Sequence, residues 1–212
     1  MRLAVFDLDG TLVDSREDLY LAVAYALARL GLPPRSREEV TGFVGEGAAR
    51  LLARSIAPAD HLLDRALSLW REHYEGHLLD HTRLYPGIAA ALDGATAALA
   101  VHTNKPGDMA RRILDGLGVL GRFSMVVGGD EAPRKPDPTG TIEILSRLGV
   151  RPEQAVFVGD SRVDEATAAA AGIQFVPVAW GFGPAGDLAG AVAPARTAAD
   201  LMPHLGAGAE AP

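Results

Sequence analysis

The chain has 212 residues, 48% of them hydrophobic, no cysteine and a formal net charge of −7. That length accommodates one large domain or a core with a small second one, and the apolar share is ample for a packed interior. The acidic balance argues against a nucleic-acid surface, the missing cysteines exclude disulfide and thiol chemistry, and no apolar run approaches the ~18 residues needed to span a bilayer. With a start that runs straight into a strand and no charged-then-apolar leader, a cytoplasmic protein without a membrane partner is expected.

Leu3 to Phe6 reads as a short buried strand and Gly10 as the turn after it. Between them lie Asp7 and Asp9, which point to the same side of an extended chain. Two neighbouring carboxylates repel unless a cation intervenes. The pair therefore suits one aspartate to nucleophilic attack and the other to proton transfer, with a divalent metal between protein and substrate. Asp-x-Asp alone is a weak signal, shared with glycosyltransferase metal loops and the acidic strand ends of receiver domains. An EF-hand is excluded, because its sixth position would be Leu12 and no glutamate stands at the twelfth.

Leu19, Val23, Ala26, Leu27 and Leu30 recur at helical spacing until Gly31, Pro33 and Pro34 stop the helix. Ser36-Arg37-Glu38-Glu39 looks like a second helix start, and helical pattern continues over Gly47 to Ile56 and Pro58 to Leu79. No strand is expected before Tyr85-Pro86-Gly87. From there strands at Leu99–His102, Met125–Val127, Ala155–Val158 and Phe175–Val178 alternate with helices over Asp108–Leu117, Pro138–Leu148 and Val163–Ala171. The expected fold is α/β: a parallel, Rossmann-like sheet covered on both faces, with a helical insertion.

Ligands of open α/β sheets sit beyond the carboxyl ends of the strands, so the residues there are the candidates. After the second core strand come Thr103 and Asn104, the threonine offering a hydroxyl to a phosphate oxygen. After the third comes Lys135, one of only two lysines against eighteen arginines. A composition so biased towards arginine points to a need for the compact ammonium charge. After the fourth come Gly159-Asp160-Ser161 and Asp164. Asp160 can complete an oxygen-only magnesium site with Asp7, supported by Asp164. Capping and surface roles remain the alternatives for these residues.

Asp7-x-Asp9-Gly10-Thr11, then Thr103, then Lys135-Pro136, then Gly159-Asp160-x3-Asp164 together resemble the haloacid dehalogenase superfamily over nearly the whole chain. Thr103-Asn104-Lys105-Pro106, Lys135-Pro136-Asp137-Pro138 and Trp180-Gly181-Phe182-Gly183 look most like its phosphoglycolate phosphatase-type members. The resemblance implies a catalytic core formed by residues 1–14 and 86–205 and a helical cap at 15–85; the small residues of 206–212 are expected to form a frayed tail. It makes Asp7 the nucleophile that forms an aspartyl-phosphate and Asp9 the acid–base group. Thr103 and Lys135 hold the phosphoryl oxygens. Mg²⁺ is held by the Asp7 and Asp160 side chains and the Asp9 carbonyl, with Asp164 supporting.

The implied substrate is a small phosphorylated metabolite, with 2-phosphoglycolate the best single guess. Asn104 and the loop Gly45-Glu46-Gly47, with Arg50 behind it, are candidates for holding it. The first cap helix departs from many relatives in reading Ala24-Tyr25 where they have alanine-asparagine. Residues 15–85 contain no lysine, which excludes a cap Schiff base, and Asp9 separates the chain from haloalkanoate dehalogenases. A β-phosphoglucomutase-like mutase or a pyrophosphatase on the same fold remains an alternative, as does an inactive scaffold for a phosphorylated ligand. No heptad or apolar patch indicates an oligomeric state.

Overall fold

A computed structural model describes residues 1–183 and 192–206. β1 (Leu3–Phe6) is followed by a short strand, β2 (Val13–Asp14), and then by the helices α1 (Arg16–Leu30), α2 (Arg37–Gly42), α3 (Ala48–Ile56) and α4 (Leu63–Tyr74). β3 (Arg83–Leu84) pairs antiparallel with β2, Val13 opposite Leu84. This pair corrects the expectation of no strand before Tyr85. Two residues are too few to show alternation, and only the pairing makes them a strand.

α5 (Ile88–Asp93), also unforeseen, leads to β4 (Ala98–His102), α6 (Gly107–Gly116), β5 (Met125–Val127), α7 (Thr139–Leu148), β6 (Ala155–Gly159), α8 (Arg162–Ala171) and β7 (Gln174–Pro177). A 3-10 helix, Ala198–Leu205, follows, and Gly206 closes it. The rest of the expected tail, 207–212, lies outside the described residues.

The five-stranded sheet runs β5-β4-β1-β6-β7, all parallel. β1 is central because its four residues are apolar on both sides and can be covered on both. Ala4 and Phe6 face one core with Val156 and Val158, beneath α5, α6 and the last 3-10 helix. Leu3 and Val5 face the other with Phe157, beneath α7 and α8. Burying a side chain of this size contributes about 1.5–3 kcal/mol.

The first core does not stop at the sheet. Through Leu8, Leu12 and Val13 it continues into Leu19, Val23, Leu51, Leu52, Leu69 and Trp70 of the helical segment. A second tie is polar: buried Asp18 near the start of α1 accepts from the Thr82 amide (2.8 Å) and hydroxyl (2.7 Å) and from the His81 amide. Both ends of the inserted helices are thereby fastened at the same place, above the carboxyl end of β1. No described helix is long and apolar enough to cross a membrane.

Candidate active site

β1, in the middle of the sheet, ends on Asp7, whose amide donates to the Val158 carbonyl at 2.9 Å. The chain then folds back at once: the Leu8 carbonyl accepts from the amides of Thr11, Leu12 and Val13. Gly10 makes this turn with φ +85°, and a Cβ there would stand 2.3 Å from Asp160 Oδ2. Glycine is required on both counts. Asp160, after β6, is held by the Phe182 amide (2.7 Å) and the Thr11 hydroxyl (3.3 Å), and Trp180 Nε1 donates to the Thr11 carbonyl. The Trp180-Gly181-Phe182-Gly183 stretch thus braces an acidic residue from behind.

Lys135, 4% exposed, lies 2.9 Å from Asp7 Oδ1 and 2.6 Å from Asp164 Oδ1. The other Asp164 oxygen accepts from the Ser161 amide and hydroxyl in a capping box at the start of α8. Asn104 shapes the loop that carries the lysine. Its Oδ1 accepts from the Lys135 amide (2.8 Å), and its Nδ2 donates to the carbonyls of Lys135 (3.1 Å) and Gly45 (2.9 Å). With its amide engaged on backbone, Asn104 joins the strand-end loops to the helical segment. Thr103 Oγ1 accepts from the Lys105 amide at 3.2 Å, which leaves the hydroxyl proton free to donate.

Burial pushes the Asp7 carboxyl up to about 8; Lys135 opposes this, while Asp164 and Asp160 add to it. Burial, then Asp164, raises Asp160 to about 6. Burial alone would lower Lys135, but Asp164 and Asp7 outweigh it and hold the ammonium above its ordinary value. Asp7, Asp160 and Asp164 present oxygens within 4.8 Å of one another, and Asp7 Oδ1 is buried without an aligned hydrogen-bond donor. An all-oxygen set of three carboxylates against one ammonium fits a hard divalent cation. Asp164, with both oxygens engaged, supports the cluster through Lys135.

Asp9 stands apart. Its Oδ1 accepts from Ser15 Oγ at 2.5 Å and lies 3.0 Å from Lys105 Nζ. Its carboxylate therefore belongs to a different set of contacts from the three acids, even though its backbone adjoins them.

A cavity of about 40 Å³ lies over these groups, lined by Asp7, Asp9, Thr103, Asn104 and Lys105 on one side. Leu19, Val44, Ala48, Leu51 and Trp70 line the other, together with the backbone of Gly45 and Gly47. Two of the proposed substrate contacts are not brought there. Glu46 pairs with Arg54 at the surface, and Arg50 is exposed on the outer side of α3, outside the lining. Arg50 lies in the first turn of α3 and Glu46 in the loop before it, and spacing alone does not reveal which way they face. Conversely, Lys105, Tyr74 and Trp70 were not singled out. The scarcity of lysine that drew attention to Lys135 applies equally to Lys105.

The family model described as haloacid dehalogenase-like hydrolase matches residues 4–178. A phosphoglycolate phosphatase of Rhodospirillum rubrum is 44% identical over 195 residues, covering 85% of this chain and 80% of its own. One of Chromobacterium violaceum is 37% identical over 198 residues, covering 89% of each. Among solved structures, a haloacid dehalogenase-like family hydrolase of Streptococcus pneumoniae superposes with a TM-score of 0.87 at 26% identity, covering 96% of this chain and 98% of its own.

Proposed function

This chain belongs to the haloacid dehalogenase-like hydrolase family, and from that premise we propose that it is a Mg²⁺-dependent phosphatase of a small phosphate monoester, 2-phosphoglycolate. One observation carries the reading: Lys135 is buried between Asp7 and Asp164, with Asp160 beside them, and Asp7 also lines a cavity of only about 40 Å³. A water-sized group needs roughly 10–15 Å³ on that measure, so the cavity has room for only about three to four of them, which fits a small substrate. The relatives named phosphoglycolate phosphatase support the substrate.

In this reading Asp7 attacks phosphorus and Asp9 protonates the departing oxygen. Asp9 then takes a proton from the water that cleaves the aspartyl-phosphate. Thr103 and Lys135 donate to the phosphoryl oxygens, where charge spreads in the transition state. The Asp7 and Asp160 side chains and the Asp9 carbonyl would hold Mg²⁺, with Asp164 supporting through Lys135. The cation supplies charge neutralisation for carboxylates and phosphate alike. Residues 15–85 serve as a cap over the core formed by 1–14 and 86–205, and its apolar wall keeps bulk water from the reacting phosphate.

The test is phosphate release with Mg²⁺ from 2-phosphoglycolate, a hexose phosphate, a nucleoside monophosphate and pyrophosphate. Preference for 2-phosphoglycolate, lost with a chelator and in Asp7→Asn, is the expected result. Isomerised sugar phosphate without net phosphate release would make the chain a mutase, and inertness towards the whole panel would make it a binding scaffold.

A further inference from the structure

Lys105 has no part in that mechanism, yet it is as deeply placed as Lys135. It is 6% exposed, its ammonium lies 3.0 Å from Asp9 Oδ1, and it donates to the Tyr74 hydroxyl at 2.8 Å. The same ammonium stands 4.7 Å above the Tyr74 ring, and Tyr74 is itself fully buried and stacked on Trp70. Three separate elements meet here: the turn after β1, the loop after β4, and the last residue of α4. A buried ammonium is costly unless its hydrogen bonds are met, so side chains from all three are committed to this arrangement.

The direction of the contacts is specific. Lys105 and Ser15 both converge on Asp9 Oδ1. An oxygen that accepts from an ammonium and a hydroxyl is a poor place for a proton, which leaves Oδ2 as the oxygen that exchanges one with substrate or water. The rotation of the Asp9 carboxylate is then fixed by Lys105, and Lys105 by Tyr74. We propose that Lys105, seated by Tyr74, is a positioning residue that orients Asp9 for proton transfer, so that the acid is aligned only while α4 lies against the core. The inference rests on the phosphatase reading above.

In the first chemical step an Asp7 oxygen bonds to phosphorus and the bond from phosphorus to the ester oxygen breaks. The electron pair left on that oxygen takes the Asp9 proton. An alkoxide needs that proton to leave; a carboxylate does not. The value of kcat/KM reports only the steps up to this cleavage, and so isolates it from the later attack of water. The experiment compares kcat/KM for 2-phosphoglycolate, ethyl phosphate and acetyl phosphate in the wild-type chain, Tyr74→Phe and Lys105→Met. All three esters are small, and the last leaves as acetate.

In Lys105→Met both alkyl esters are expected to lose roughly 10²-fold, at least ten-fold more than acetyl phosphate, since positioned acid catalysis is worth ~10²–10⁴-fold. Tyr74→Phe, which keeps the ring and removes only the hydroxyl, shows the same selectivity at about 10-fold. It decides the matter should Lys105→Met not fold. Equal losses on all three esters, or none, would overturn the inference and leave a structural ion pair. A loss confined to 2-phosphoglycolate would overturn it differently, making Lys105 a contact for the substrate carboxylate. A wild-type chain inert towards all three would overturn the phosphatase reading, and this inference with it.

Discussion

The strand-end loops and the helices opposite them line one cavity with different materials. The loops bring Asp7, Thr103 and Lys105 to it, backed by Asp160, Asp164 and Lys135, all buried, each fastened by another charge or by a backbone amide. The helical segment brings Leu19, Ala48, Leu51 and Trp70, fastened mainly by apolar contact, with bonds from Asn104 to Gly45 and from Lys105 to Tyr74 added. Charges held by each other fail together when one is removed, because its partners are left buried and unpaired. A wall held by packing yields gradually, residue by residue. Chemistry is therefore expected to be brittle on the strand side and substrate choice adjustable on the helical side.

Removing Lys135 is the hardest test of that contrast. Lys135→Met is expected to cut turnover by more than about 10³-fold, through loss of its charge at the phosphoryl group. It is also expected to destabilise the fold by about 3–5 kcal/mol, since Asp7 and Asp164 lose their shared cation. Steady-state rates and a thermal melt check both, and a variant with normal melting would show that the cluster is not mutually dependent. On the other side, Trp70→Leu should keep the mechanism but open the cavity, shifting the ratio of kcat/KM between a three-carbon and a two-carbon phosphate ester about 10-fold towards the larger. Arg50→Ala, outside the lining, serves as the control and should leave that ratio within about two-fold. An equal shift in both variants would dissolve the distinction between wall and surface.

The smallest effect concerns pH. His102, at the end of β4, bonds through Nδ1 to the Thr141 hydroxyl at 2.9 Å and is lowered to about 3 by burial and by Lys135. Below its ordinary value of 6.5 the unfolded chain takes up a proton that the folded chain refuses. Stability present above pH 6.5 is therefore lost as the pH falls towards about 3. His102→Gln should flatten that part of the melting-temperature profile. Superimposable profiles would mean that the imidazole charges freely in the folded chain.

Much of the strand side was legible beforehand. Apolar runs at Leu3–Phe6 and Ala155–Val158, each closed by an aspartate, mark both the strands and the site, because a buried parallel strand is apolar throughout and its carboxyl end is where ligands lie. The helices carried periodicity, and Gly31 marked the end of α1, but the pattern over Pro58–Leu79 overran α4 at both ends. What could not be read was orientation on the helical side. Glu46 and Arg50 differ in sequence from Gly45 and Gly47 by ordinary charged side chains, yet only the glycines reach the cavity. β2 and β3 were invisible because pairing across some seventy residues, and no local pattern, makes them strands.

Sequence alone determined the α/β core and the acidic strand ends, since both follow from local pattern, while the rarity of lysine pointed to Lys135 without separating it from Lys105. Tertiary structure alone decided that Asp9 is held by Ser15 and Lys105 and not by Lys135, that Asn104 serves the backbone, and that Tyr74 reaches the site from the end of α4. Those contacts join residues as far apart in sequence as Asp9 and Lys105, and their strength comes from desolvation, which exists only once the helices have closed over the sheet.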